Sequence, residues 1–377
     1  MALGGKIRGC FPAIRGGAMI SARREVRFND AAFSAFAAAR GVAVADLGAD
    51  ESFIPALFGT IRKRLEAYPI SGDAPARPLA LGVLDRPSPN AFAVSHLAGI
   101  CVGIHTGLLA SIVEAAAMFR DALGVFSADF GRIGLDPGSP SAEPVGLKTY
   151  LSFMALGDFD PMLLGRPSDT DSPETLRGAY FISCALHFAV LHEFGHVVNG
   201  HLGWLEERGL TPWLEEVDDV DYGNNLTQQL DMVRFFEHEA DVWALQVLIR
   251  SAVEGQDIGA IEGVAPPERL VLLILGFLTL VFTWVMLENQ PGVRASGRHP
   301  AGTDRLLALP MALMGVLETA PHLAGAVQDG LRRSRVIVTA LAQRLPLFAP
   351  MQEVFLSDGV DRADRIAQWM REMDRSR

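Results

Sequence analysis

The stretch LHEFGHVVNGHL (residues 191–202) places three histidines and one glutamate within ten residues. His192 and His196 are four residues apart, so on a helix their imidazoles lie on one face and can bind the same metal ion. Glu193 is rotated by about 100° from His192, which places its carboxylate beside such an ion, within reach of a bound water. These residue types at this spacing form the HExxH pattern of metal-dependent hydrolases.

A catalytic zinc centre needs a third protein ligand and leaves one position open. The sequence EHEAD (residues 237–241) supplies Glu237 and Asp241, which are four residues apart and therefore on one face of a second helix. We expect Glu237 to be the third ligand and Asp241 to accept a hydrogen bond from a ligating imidazole. Two alternatives for the third ligand stay open, His201 and Glu239. Two histidines and one carboxylate favour zinc, one ion per chain, over other divalent ions.

The competing interpretation is a helix that carries these histidines by chance. The helix is otherwise apolar, and a buried glutamate without a partner is costly, so we favour the metal site. A non-catalytic zinc-binding regulatory protein is a further alternative, but the presence of Glu193 as a base favours an active enzyme. The other histidines near these motifs are interpreted as packing or surface residues: His96, His105, His187 and His238.

Two helices must carry the motifs. Ser172 and Pro173 predict the start of the first helix, and the Asn199-Gly200 pair predicts its end. The second helix is predicted over Thr227–Ser251, and a short edge or hairpin strand over Ala98–His105. Together the patterns predict a mostly α protein with a small β-sheet, in the α+β class.

The predicted domain plan has three parts. We expect residues 1–30 to form a disordered N-terminus and residues 31–320 to form the catalytic domain, interrupted by an irregular insertion at about 126–172. A C-terminal helical region, residues 321–377, is expected to pack on that domain. With 49% apolar and 20% charged residues, the chain can bury a substantial core.

The charge and cysteine content exclude some classes of partner. The net charge of −11 would repel a nucleic acid backbone, so no nucleic acid partner is expected. The three cysteines are widely spaced and form no CxxC pair, which is typical of reduced thiols in a cytoplasmic protein.

The segment Leu270–Leu287 is uncharged and just reaches the length of a membrane span. A single crossing there would place Glu237 and His299 on opposite sides of the bilayer. If both belong to one site, the segment is a buried core helix, which we favour. Inner-membrane association through this segment is the alternative.

HExxH on one helix followed by ExxxD on a later one resembles the gluzincin metallopeptidases, in particular the CAAX prenyl protease and HtpX family. Further stretches are similar to motifs of that family, in the same order: PNAFAV (89–94), GICVGIHTGLL (99–109), EHEADVWAL (237–245) and RHPAGTDRL (298–306). The pattern is also similar to the phage-exclusion protease Lit, which combines HExxH with a Gly-His pair after it. One departure is the long interval of about eighty residues between Leu109 and His192.

The resemblance implies a zincin-like fold and a zinc-dependent endopeptidase. It implies that His192, His196 and Glu237 hold the zinc and that Glu193 is the general base for a metal-activated water. Asp241 would orient a ligand histidine.

The resemblance also implies the surroundings of that site. Arg305 and His299 would lie near the cleft, and His299 would stabilise the oxyanion or gate the metal. A protein or peptide substrate would add as an extended strand to Gly99–Ile104, taken as an edge strand. The residues expected to bind it are Asn90, Gly99, Ile100, Cys101 and Val102. A Lit-like enzyme would instead be a defence or stress protease that a partner triggers.

Overall fold

The computed structural model describes residues 28–47, 53–67, 78–97, 99–124, 173–210, 212–215, 227–254, 266–288, 302–328, 339 and 368–374. The predicted insertion at 126–172, His299 and Cys10 lie outside the described residues. Helices predominate and a small sheet accompanies them, so the predicted α+β class is confirmed.

The N-terminal helices flank the sheet. Helix α1 covers Asp30–Ala39 and helix α2 covers Phe53–Ala67. Asn29 caps α1, since its side-chain oxygen accepts a hydrogen bond from the N–H of Ala32 at 3.1 Å. The N–H of Asn29 also donates to the carbonyl of Leu79 at 2.8 Å. Residues 28–30, the last part of the segment predicted to be disordered, therefore belong to the fold.

The sheet has four strands: β1 Leu79–Leu84, β2 Ala91–His96, β3 Gly99–His105 and β4 Trp213–Glu215. Their spatial order is β1-β3-β2-β4. Strand β3 pairs in parallel with β1 and antiparallel with β2, and β4 adds to β2. The outer strands of this sheet are therefore β1 and β4.

The prediction that Gly99–Ile104 is an edge strand for substrate is wrong. Cys101 lies opposite Ala80 on one side and Val94 on the other, so the backbone of β3 is occupied on both sides. Ile100, Cys101 and Val102 are all buried as well. The pairing of β3 with β2 can be predicted from the sequence, because the two strands are adjacent in the chain. The parallel pairing with β1 cannot, because β2 lies between them in the chain.

The two remaining residues of that prediction have local structural contacts. Gly99 has a φ of 147°, and a Cβ there would lie 2.3 Å from the carbonyl oxygen of Pro78, so only glycine fits. Asn90 precedes β2, and its side-chain oxygen accepts from the N–H of Ala91 at 3.1 Å. Its carbonyl accepts from the N–H of His105 at 2.8 Å.

The remaining helices form the bulk of the core. They are α3 Thr106–Gly124, α4 Pro173–Val198, α5 His201–Glu207, α6 Thr227–Glu254, α7 Pro266–Glu288, α8 Gly302–Arg305 and α9 Ala308–Thr319. Helix α4 is central and packs against α3, α6, α7 and the inner strands of the sheet. It begins at Pro173 and ends before Gly200, which has a φ of 76°, as predicted.

Helix α7 contains the apolar Leu270–Leu287 segment. It packs against α4, α6 and α3, and its described side chains from Leu270 to Val281 are buried, as expected for a core helix. Among the described residues, the stretch that meets the length and composition of a membrane span is Phe181–Val198 in α4. Of that stretch 89% is buried inside the protein, which is usual for the core helix of a globular fold.

A short helix at residues 368–374 packs against α6. Its Trp369, Met370 and Met373 side chains contact a buried cluster on α6 that includes Phe235 and Phe236. The predicted C-terminal region also includes residues 321–328, where Leu323 and Val327 are buried in the main core. The described cysteines, Cys101 and Cys184, are buried free thiols, and burial raises the pKa of Cys101 to about 12.

Candidate metal centre

The metal centre lies where α4 crosses α6. At the crossing Gly195 faces Ala240, and a Cβ at Gly195 would lie 3.3 Å from the Ala240 Cα and 3.4 Å from the Trp243 ring. Two small residues let the helix axes approach closely. The close approach brings Glu237, one turn before Ala240 on α6, to the side chains of α4.

The side chains of three residues converge at this crossing. The Nε2 atoms of His192 and His196 are 3.1 Å apart. Glu237 places Oε2 at 3.3 Å from His192 Nε2 and Oε1 at 3.5 Å from His196 Nε2. A tetrahedral zinc ion with bonds of about 2.0–2.1 Å has ligand–ligand edges of about 3.3 Å. The three residues are each 1% exposed, and their spacing and chemistry fit a zinc ion.

Asp241 contacts the outer side of the first histidine. Its Oδ1 lies 2.8 Å from His192 Nδ1. A hydrogen bond donated by Nδ1 leaves the lone pair of Nε2 available to a metal. Burial lowers the pKa of His192, but the nearby carboxylates of Asp241 and Glu237 outweigh burial and raise it well above its ordinary value. The site therefore favours positive charge.

Arg305 contacts both Glu237 and Asp241 of α6. Its Nη2 donates to Glu237 Oε2 at 2.9 Å, and its Nη1 lies 3.5 Å from Asp241 Oδ1. The guanidinium carbon lies 4.0 Å from the centre of the Trp284 ring on α7. Arg305 is 1% exposed, so these contacts compensate its own buried charge and that of the carboxylates.

The two alternative third ligands lie behind the cluster. The Nδ1 of His201 is 2.8 Å from the Nδ1 of His196, on the side of that ring away from the ligand atom. The Nε2 of His201 is 2.9 Å from Glu239 Oε2. The structure thus places the Glu237 carboxylate beside the Nε2 atoms of His192 and His196. His201 and Glu239 lie on the other side of the His196 ring.

Glu193 follows His192 in α4 and is 1% exposed. It directly follows the first histidine of the cluster in the chain, and its role as a general base stays a prediction. His299, the residue predicted to stabilise the oxyanion, lies outside the described residues.

Buried histidines elsewhere have the opposite electrostatics. Burial, with a smaller effect of Arg64, lowers the pKa of His187 to about 3. Burial, with a smaller effect of Arg86, lowers the pKa of His105 to about 4. His187 lies on the same helix as His192, so the difference between them comes from the carboxylates of α6.

Sequence reasoning missed the link between His201 and Glu239. From the sequence, both residues are expected only as alternative third ligands. The available signal was the Asn199-Gly200 turn, which starts a new helix at His201 and returns the chain to His196.

Comparison with known proteins supports a peptidase. The model of the family Peptidase U49, which includes Lit-like proteases, matches residues 165–322. The matched range contains α4, α6 and Arg305, and hence every residue of the metal cluster. No curated protein and no solved structure matches the chain. The resemblance to the CAAX prenyl protease and HtpX family stays a prediction.

Proposed function

We propose that this chain is a zinc-dependent endopeptidase that hydrolyses a peptide bond with Glu193 as the general base. The observation that carries the proposal is the buried cluster of His192, His196 and Glu237. The two Nε2 atoms are 3.1 Å apart, and one carboxylate oxygen of Glu237 lies 3.3 Å from His192 while the other lies 3.5 Å from His196. The match to a peptidase family model supports the same class of reaction. The HExxH and ExxxD pair on crossing helices supports the gluzincin type.

The ion, when bound, supplies a Lewis acid that lowers the pKa of its water towards about 7. The Glu193 carboxylate accepts the proton of the attacking water and then gives it to the nitrogen of the leaving amine. Asp241 keeps the proton of His192 on Nδ1, so that Nε2 faces the cluster. Arg305 holds the Glu237 carboxylate in place through the 2.9 Å hydrogen bond.

The proposed substrate is a protein or peptide bound in an extended conformation. Strand β3 is enclosed by β1 and β2, and the outer edge of β1 already bonds Asn29 and Ala45. We therefore propose that an added strand pairs with the other outer strand, β4. The net charge of −11 argues against a nucleic acid partner. We further propose a cytoplasmic location, consistent with the buried apolar helices and the free thiols.

Metal content tests the proposal directly. Plasma mass spectrometry is applied to the purified wild type, to Glu237→Ala, which removes a ligand, and to Glu193→Gln, which removes only the base. We expect about one zinc per chain in the wild type and in Glu193→Gln, and strong loss in Glu237→Ala. Peptidase activity is expected to be lost in both variants. Absence of zinc from the wild type after reconstitution would contradict the proposal.

The family match favours a second, narrower proposal, a Lit-like protease that a partner triggers. Such an enzyme binds zinc but is silent on generic peptides until its trigger is present. Zinc-loaded protein is assayed on a generic peptide library with and without lysate from stressed or phage-infected cells. Activity on the library alone would favour an ungated endopeptidase, whereas activity only with lysate, and absent from Glu193→Gln, would favour the triggered form.

A further inference from the structure

Behind the second ligand histidine lies an ordered chain of polar groups. His196 Nδ1 is 2.8 Å from His201 Nδ1, and His201 Nε2 is 2.9 Å from Glu239 Oε2. The three residues come from α4, α5 and α6. His201 is fully buried, whereas the Glu239 side chain is 21% exposed. The chain therefore extends from the buried metal cluster to a partly exposed carboxylate.

The direction of each hydrogen bond follows from the chemistry of the groups. If Nε2 of His196 binds a metal, its proton is on Nδ1, which then donates. His201 must accept that bond with an unprotonated Nδ1, so its own proton is on Nε2. An ionised carboxylate can only accept, so Glu239 receives this proton's hydrogen bond. Glu239 thus selects the tautomer of His201 that His196 needs.

The ring of His201 is held in this orientation by packing. It stacks on Phe236 with ring centres 4.1 Å apart and an angle of 15° between the planes. Trp204 packs edge-on against the same Phe236 ring, with centres 5.2 Å apart. Gly200, with a φ of 76°, allows the sharp turn that starts α5 at His201.

We propose that His201 is a positioning residue for zinc, holding His196 through its Nδ1 acceptor with its tautomer set by Glu239. The proposal rests on the proposed zinc site. It gives the two ligand histidines different supports, since His192 contacts a carboxylate directly and His196 reaches one through a second imidazole. The alternative is that His201 is a core residue that serves packing alone.

Two substitutions at position 201 separate these roles. His201→Phe keeps an aromatic ring against Phe236 but removes both the acceptor and the donor. His201→Gln loses the ring but keeps an amide oxygen that can accept from His196 and an N–H that can donate to Glu239. His187→Phe is the control, because His187 is fully buried on α4, five residues before His192 and apart from the donor chain.

Zinc affinity is measured by competition with a chromogenic chelator, on protein whose circular dichroism shows it to be folded. We expect His201→Phe to lose about 10–100-fold in affinity, the effect usual for loss of a partner behind a ligand. His201→Gln should recover most of the loss, and His187→Phe should bind like the wild type. The cobalt-substituted protein provides a second measurement, since the visible bands should change in His201→Phe only.

A further measurement needs no substitution at His201. Nitrogen-15 histidine spectra of the zinc-bound wild type should show His201 with its proton on Nε2 and an unprotonated Nδ1. A proton on His201 Nδ1 would overturn the proposal. In Glu239→Leu, compared with Glu239→Gln as the control that keeps an acceptor, we expect a several-fold loss of zinc affinity in the first variant alone.

The outcomes distinguish this proposal from the proposed function. A wild type that binds no zinc contradicts the metal site itself. A wild type that binds zinc, with His201→Phe equally tight, contradicts only the role of His201. If His201→Gln is as weak as His201→Phe, an acceptor at this position does not restore zinc binding, and the positioning role is wrong.

Discussion

His192 and His196 of α4 both contact Glu237 with one ring nitrogen, but the other ring nitrogen of each histidine contacts a different residue. Both face Glu237 with Nε2, but His192 is supported by the fully buried Asp241, at 2.8 Å. His196 is supported by His201 and, through it, by the partly exposed Glu239. A buried carboxylate must be neutralised, and Arg305 does this for the His192 side. The Glu239 side chain on the His196 side is 21% exposed, so water solvates part of its charge. The two histidines are therefore held in different ways. His192 is held by a buried charge, and His196 by a neutral ring that contacts a partly exposed charge.

The largest effect is expected from removing the cation of the His192 side. Arg305→Met leaves Glu237 and Asp241 buried without compensation, which should lower the free energy of unfolding by about 3–5 kcal/mol. Urea denaturation of the zinc-free protein measures it. Arg62→Met is the control, because Arg62 pairs with Asp30 at a largely exposed site, and it should cost about 1 kcal/mol or less. Equal losses of unfolding free energy in Arg305→Met and Arg62→Met would show that Arg305 does not compensate buried charge.

The direct support of His192 should matter more for zinc than the relayed support of His196. Asp241→Asn keeps the size of the side chain but removes the charge, and we expect a 10–100-fold loss of zinc affinity, about 1.4–2.7 kcal/mol. Glu239→Gln, the matched change on the other side, keeps an acceptor for His201 and should leave the zinc affinity close to that of the wild type. Chelator competition at constant pH measures both. A larger loss in Glu239→Gln would reverse the comparison.

Both sides depend on the crossing of α4 and α6. Gly195→Val should separate the helices at Ala240, weaken zinc binding and lower the free energy of unfolding by about 2 kcal/mol, as overpacking does. Gly195→Ala should be tolerated better, since its contacts of 3.3 and 3.4 Å need a shift of only a few tenths of an ångström. Gly203→Val on α5 is the control, because a Cβ there meets no atom within 4 Å. Thermal unfolding with and without zinc measures these effects. Equal unfolding midpoints for Gly195→Val and Gly203→Val would contradict the prediction.

The smallest effect concerns a buried histidine without a carboxylate. His187 has its pKa lowered to about 3, so it is neutral in the folded protein. The unfolded chain gains a proton below about pH 6.5, so this residue makes folding less favourable as the pH falls through that value. Between pH 7 and 5.5 its contribution should be a loss of about 1 kcal/mol.

The His187→Phe variant should lack this contribution. Its free energy of unfolding should fall less than that of the wild type between the two pH values, by about 1 kcal/mol. Urea denaturation of the zinc-free proteins gives both differences, and the contribution of His192 cancels between them. Parallel pH dependence in the two proteins would show that His187 carries a proton in the folded state.

The sequence by itself determined the parts of the site that lie within one helix. The spacing of His192 and His196, the shared face of Glu237 and Asp241 and the stop at Gly200 all follow from helical periodicity and backbone sterics, which act over a few residues. The mostly helical α+β class and the start of α4 at Pro173 followed from the same local patterns.

Tertiary structure decided what those helices meet. Glu239 and His201 are 38 residues apart in the chain, and Arg305 and Glu237 are 68 apart. The parallel pairing of β1 with β3, which removed the predicted substrate edge, likewise joins strands that another strand separates. Such contacts depend on how whole elements pack, because burial and charge compensation are properties of the assembled core rather than of any short stretch.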